Sequence, residues 1–210
     1  MRIVQEKKFL CKIRDSMDLE MYVPDIYQPD VYKIDYEKLK EKGIKLITFD
    51  LDDTLVPKRT GKMPEPLQPH ITKWKEMGFK IMLLSNGNEK KVHDFAEKLD
   101  VKYIAEAKKP AERPFQKVLD MWKDEGIEKS QIVHVGNSIM KDIAGAKAKG
   151  ITACLIRYVG KQKKNVILVD KELKQELKKK NMWQKHHKNQ VGDQYYQLGE
   201  TQFQKVQLWR

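Results

Sequence analysis

The chain has 210 residues, with 42 Lys and Arg against 30 Asp and Glu, for a net charge of +12. That length suits one ordinary core with an appendage, and the charge selects anionic partners: phosphorylated substrates, nucleic acid or anionic lipid surfaces. Two cysteines, Cys11 and Cys154, exclude a disulfide framework or a four-thiolate zinc site; no uncharged apolar stretch reaches the roughly 18 residues of a membrane span, and the early charges Arg2, Glu6, Lys7, Lys8 and Asp15 fit neither a signal nor a transit peptide, so a cytoplasmic protein is expected.

In chain order, the first feature is an apolar strap, with Tyr22, Ile26, Val31, Tyr32, Ile34 and Tyr36 around Pro24 and Pro29. From Ile44 to Ile156, short apolar runs alternate with helical stretches, the pattern of parallel strands joined by crossover helices. Strands are expected at Lys45–Phe49, Lys80–Leu84, Lys102–Ile104, Gln131–Val135 and Thr152–Ile156, five in one open sheet. Helices are expected at Gln68–Met77, Glu89–Leu99, Pro114–Trp122 and Met140–Lys149, where apolar residues recur at spacings of three and four and Gly78 and Gly150 stand at or just past two of the ends. Pro57, Pro64 and Pro66 make the segment Pro57–Leu67 a loop. The fold class is therefore α/β: a three-layer, Rossmann-like parallel sheet with helices on both faces. Residues 1–160 form the core with its strap, and residues 161–210 form a basic C-terminal extension. Between Lys161 and Lys188, ten lysines face three acids, a local charge of +7.

In such a sheet ligands bind beyond the carboxyl ends of the strands. The first predicted strand ends in Asp50-Leu51-Asp52-Asp53-Thr54, three carboxylates whose repulsion a divalent cation relieves. The i, i+2 spacing brings Asp50 and Asp52 to the same side of an extended backbone. The second ends in Ser85-Asn86-Gly87-Asn88 before a helix N-terminus, a natural phosphate cradle. Lys108-Lys109-Pro110 follows the third strand, supplying a cation against phosphate charge, with Lys108 a possible substitute for Lys109. Gly136-Asn137-Ser138 follows the fourth, with Asp142 in the next turn. Taken singly, each is an ordinary turn, cap or solvated pair. Their order at successive strand ends points to phosphate chemistry. The histidines carry less: His93 and His134 read as packing, and His186 and His187 lack partners at zinc spacing.

This ordered set resembles the haloacid dehalogenase superfamily of phosphohydrolases, whose first motif Asp50-Leu51-Asp52-Asp53-Thr54-Leu55 matches closely. Within it, Pro24-Asp25-Ile26-Tyr27, Lys33-Ile34-Asp35-Tyr36 and Leu39-Lys40-Glu41-Lys42-Gly43-Ile44 resemble the lead-in of the YqeG family, a subclass IIIA group; the resemblance covers roughly Pro24 to Val159. It implies Asp50 as a nucleophile forming an aspartyl-phosphate and Asp52 as general acid, then base. Ser85 and Lys109 would hold and balance the phosphoryl group, with Asn86, Asp53 and Thr54 beside it and the last two shaping the turn. Mg²⁺ would sit among Asp50, Asp52, Asn137 and Asp142. Asn137 departs from the pattern, standing where most members have an aspartate, which costs the site one negative charge.

The intervals Leu55–Leu84 and from there to the third strand leave no room for a cap domain, so an open site is expected. That suits a large substrate: a lipid headgroup, a protein or a nucleic-acid end. Relatives that hydrolyse phosphatidylglycerophosphate make a membrane phospholipid the leading class. Val169, Leu173 and Leu177 at i+4 among lysines, with Met182 and Trp183, suit peripheral contact with an anionic membrane. A solvated extension is the plainer reading. Lysine runs with Trp183, Tyr195 and Tyr196 admit nucleic acid. The alternative function is a catalytically weak domain binding phosphorylated or nucleic-acid partners, which Asn137 and the tail favour.

Overall fold

The inner strands of the central sheet are buried on both faces, and the sequence pattern shows why. In β2 (Leu46–Phe49), Ile47 and Phe49 point into one apolar cluster while Leu46 belongs to the other. A computed structural model describes residues 19–156 and position 175 of the chain. Its elements are β1 (Ile26–Gln28), α1 (Tyr36–Glu41), β2, α2 (Leu67–Glu76), β3 (Lys80–Leu84), α3 (Glu89–Leu99), β4 (Lys102–Ile104), α4 (Glu112–Met121), β5 (Ile132–Gly136), a π-helical turn (Ile139–Ile143) running into α5 (Ala144–Ala148), and β6 (Thr152–Ile156). The sheet order is β1-β6-β5-β2-β3-β4, with every pairing parallel.

One face is covered by α1, α2 and α3 through Tyr36, Leu39, Leu67, Ile71, Trp74, Val92, Phe95 and Leu99. Trp74 stacks between Tyr36 and Phe49, with ring centroids 4.4 and 5.5 Å away. The other face is covered by α4, the π-helical turn and α5 through Phe115, Val118, Ile139, Ile143 and Ala146. These are the three layers the alternation predicts.

The expectation of five strands is corrected to six among the described residues. The strap's Ile26–Gln28 adds to the sheet edge beside β6, with Ile26 opposite Cys154. Asp25 fixes this docking: its carboxylate accepts from Ala153 N at 2.8 Å and from Lys147 Nζ at 2.6 Å, while Asp25 N donates to Ala153 O. Tyr36–Glu41 is a second addition, a helix capped by Asp35, whose side chain accepts from Lys38 N. The expected Met140–Lys149 helix begins instead as the π-helical turn. No helix among the described residues is long and apolar enough to cross a membrane. The expectations about Cys11, the basic run Lys161–Lys188 with its apolar i+4 stripe, and the aromatic end of the chain lie outside the described residues.

Candidate active site

Because β2 lies between β5 and β3, the segments leaving these three strands stand side by side at their carboxyl ends. The chain runs outward from β2 through β3 to β4, then returns to β5 on the other side of β2, so the crevice lies at a topological switch point.

Asp50 follows β2 directly and is held as its continuation by Asp50 N donating to Val135 O at 2.9 Å. Beyond it the chain turns sharply. Asp53 adopts a left-handed φ of 62°, Asp53 N donates to Val56 O, and its carboxylate accepts from Lys58 N at 2.8 Å. The Asp53 side chain thus faces its own loop. The Thr54 hydroxyl turns back and donates to Asp50 Oδ2 at 3.2 Å.

Lys109 is the buried lysine of the pair, 4% exposed, whereas Lys108 is exposed. Its Nζ donates to Asp50 Oδ1 at 2.9 Å and to Asp142 Oδ1 at 2.6 Å. Asn86 fixes the backbone of this lysine from both sides: its Oδ1 accepts from Lys109 N at 2.8 Å and its Nδ2 donates to Lys109 O at 3.0 Å. Asn86 is therefore engaged with Lys109. Ser85 is fully buried at the end of β3, and its Oγ accepts from Gly87 N.

The third carboxylate is anchored most firmly. Asp142 Oδ2 accepts from Ser138 N at 2.9 Å, and Oδ1 accepts from both Lys109 and His134 Nε2. His134 in turn meets the Thr48 hydroxyl at 2.9 Å through Nδ1, so a buried polar chain runs from Thr48 on β2 to Asp50 at its end. Gly136 makes room for it: a Cβ there would lie 2.3 Å from Asp142 Cγ. Gly136→Ala is accordingly expected to displace Asp142 and lower stability by about 1–3 kcal/mol, read as a fall in the denaturant midpoint at unchanged slope.

The electrostatics follow from burial. Loss of water raises the Asp50 carboxyl to about 6 against the opposing pull of Lys109, with Asp142 adding to the rise. Burial pushes Asp142 the same way, but Lys109 and His134 overcome it and hold Asp142 well below the usual carboxylate range. Burial opposes the charge on Lys109, and the two carboxylates outweigh it, so the ammonium is held more tightly than usual.

Asp52 and Asn137 complete the cluster. Asn137 Nδ2 donates to the Asp52 carbonyl at 3.1 Å, placing this side chain against the turn. The Asp52 carboxylate is partly exposed and meets Lys91 Nζ from α3 at Oδ1 and Lys58 Nζ at Oδ2. Sequence reasoning missed Lys58, Lys91 and the Thr48–His134 pair. Among the described residues, no group of three or more His, Cys, Asp or Glu side chains forms a ready metal cage. A hard cation that retains water and takes substrate oxygens needs no such cage. Asp50, the Asp52 carbonyl and Asn137 supply oxygen donors, and the two buried carboxylates Asp50 and Asp142 share the single Lys109 cation, so the residues fit Mg²⁺.

Three comparisons bear on this geometry. A family model described as haloacid dehalogenase-like hydrolase matches residues 62–150, which begin beyond the acid cluster and take in Ser85, Asn86, Lys109, Asn137 and Asp142. The chain is 29% identical over 137 residues, 65% of its length and 78% of the relative's, to the probable phosphatase YqeG of Bacillus subtilis. It is similar to solved structures of 3-deoxy-D-manno-octulosonate 8-phosphate phosphatase from Moraxella catarrhalis (17% identity, 71% of this chain and 93% of that one, TM-score 0.42) and of the deoxy-D-mannose-octulosonate 8-phosphate phosphatase from Haemophilus influenzae (14%, 70% and 93%, TM-score 0.45). Over residues 62–150, which carry the residues that follow β3, β4 and β5, the chain is therefore similar to the haloacid dehalogenase-like hydrolases.

Proposed function

We propose that this protein is a Mg²⁺-dependent phosphomonoesterase that works through an aspartyl-phosphate on Asp50. The observation that carries the reading is the buried Lys109, bridging Asp50 and Asp142 beyond the strand ends, with the partly exposed Asp52 two residues from Asp50. A cation buried against two carboxylates is costly unless it serves the site. Similarity to a relative named a probable phosphatase supports the same reaction.

An Asp50 carboxylate oxygen attacks phosphorus, and the bond from phosphorus to the leaving oxygen breaks. Asp52 donates the proton that the leaving alkoxide needs. Asp52 then takes a proton from water, whose oxygen attacks phosphorus, breaks the acyl-phosphate bond and restores Asp50. Lys109 neutralises charge on the phosphoryl group, and Ser85 with the free N–H groups at the start of α3 receives its oxygens. Mg²⁺, held by Asp50, the Asp52 carbonyl and Asn137, would supply further charge neutralisation, with Asp142 acting behind it as the anchor of Lys109.

The substrate class follows from access. Between β2 and β3 the chain spends its residues on a loop and α2, and between β3 and β4 on α3, with no domain inserted over the site. A site that the described residues leave uncovered suits a phosphomonoester on something large, and phosphatidylglycerophosphate at an anionic membrane surface is the substrate this reading favours. The test compares Mg²⁺-dependent phosphate release from an aryl phosphate with release from phosphatidylglycerophosphate vesicles. Metal-dependent turnover of both, with the vesicles preferred, is expected. Turnover of the aryl phosphate alone would remove the lipid assignment, and no turnover of either by folded protein would replace the enzyme with a binding domain.

A further inference from the structure

We propose that Lys91 is a positioning residue that aims the Asp52 carboxyl at the leaving-group oxygen; this rests on the reading of Asp52 as the general acid. The three carboxylates of the site are held in different ways. Asp50 is gripped by Thr54 and the buried Lys109, and Asp142 by Ser138, His134 and Lys109. Among the described residues, the Asp52 carboxylate has only two ion-pair partners, Lys91 and Lys58.

A proton donor works only within hydrogen-bond reach of the oxygen it serves, and a misplacement of about 1 Å costs on the order of 100-fold. Among the described residues no domain is inserted above Asp52, and the contacts that orient its carboxylate come from the floor of the site. Lys91 is built for this task. It sits in the first turn of α3, its backbone N–H donates to the N-cap side chain of Asn88 at 2.9 Å, and its side chain is 26% exposed. Lys58 reaches the other carboxylate oxygen at 3.4 Å from a side chain 61% exposed, where water screens the pair. The positioning role therefore falls to Lys91, with Lys58 as a minor second contact. Gly87 keeps this corner open, since a Cβ there would stand 3.3 Å from Ser85 Oγ and 3.8 Å from Asp52 Oδ2.

The test exploits the chemistry of the leaving group. An alkyl phosphate needs its departing oxygen protonated, whereas 2,4-dinitrophenyl phosphate departs as a stable anion. kcat/KM reports the phosphoryl transfer to Asp50 for both, whichever later step limits turnover. Lys91→Met is expected to lower kcat/KM about tenfold for 3-hydroxypropyl phosphate and less than about twofold for 2,4-dinitrophenyl phosphate, a part of the 10²–10⁴ that a placed general acid provides. Lys91→Arg should restore most of the alkyl activity, and Lys58→Ala should cost about twofold or less. A merely structural role would lower both substrates together, and that result overturns the inference. Asp52→Asn serves as the reference. If it selectively loses the alkyl substrate and Lys91→Met does not, Lys91 is not a positioning residue and Asp52 keeps its role. If Asp52→Asn shows no such selectivity, both assignments fall.

Discussion

Asp50→Asn is expected to lower Mg²⁺-dependent phosphate release by on the order of 10⁴-fold or more, the scale on which enzymes lose a covalent nucleophile, while raising the stability of the metal-free protein. The second half follows from the buried carboxyl. Asp50 holds its proton up to about pH 6 in the folded protein, against about 3.9 in an unfolded chain. Above pH 6 the folded state carries a buried charge that it resists, so this group's contribution to stability falls as pH rises from about 4 to about 6 and stays low beyond. The difference corresponds to about 3 kcal/mol at pH 7. Asparagine never ionises and keeps an oxygen for Lys109. In a chelator at pH 7, Asp50→Asn should therefore melt several degrees above wild type, and the gap should close toward pH 4. Mg²⁺ should raise the melting temperature of wild type more than that of the variant. An inactive variant that melts lower than wild type across this range would mean that Asp50 is a structural acid and that the charge in this crevice is compensated some other way.

The strand ends were legible because their signal is local. The apolar run Ile44–Phe49 stops abruptly at Asp50, and β3, α3, β4 and β6 fall where periodicity alone puts them. The first strand was hidden: three residues between Pro24 and Pro29 carry no periodicity, and their pairing depends on Asp25 reaching Ala153, 128 residues away. The helix Tyr36–Glu41 starts at the last apolar residue of the strap, and with Tyr36 and Leu39 its only buried positions it shows too short a stripe to be read as a helix. In the site, residue types and order were readable, but partners were not. Asn86 looks like a phosphate donor in sequence and spends both amide atoms on the backbone of Lys109. His134 looks like core in a buried strand. Its partner Thr48 becomes visible only when β2 and β5 pair in register, Thr48 opposite His134. Lys91 is one of many lysines, and nothing in its spacing distinguishes it from Lys90; the helix phase alone aims it at Asp52. Local chemistry survives in sequence, whereas any contact made across the sheet requires the fold.

Lys109→Met should abolish turnover and destabilise the protein by about 3–5 kcal/mol, the usual cost of removing one partner from a buried ion pair. Methionine preserves the length of the side chain but leaves Asp50 and Asp142, both buried, without the cation they share. The melting temperature should fall on the order of 10 °C at pH 7. The loss has a definite pH signature. Without Lys109 both carboxyls take up protons more readily in the folded state, so the deficit should shrink as pH falls from 8 to 5. A packing defect would leave it constant. The double variant Lys109→Met with Asp142→Asn separates charge from shape further: it removes one of the two orphaned charges while retaining an oxygen for Ser138 N. We expect it to recover about half of the lost stability and none of the activity, since the pair couples through a shared contact while the phosphoryl group still lacks its cation. Equal instability of the single and double variants, at all pH values, would show that Lys109 supports the site through its packed stem and not through the charge that the proposed reaction needs.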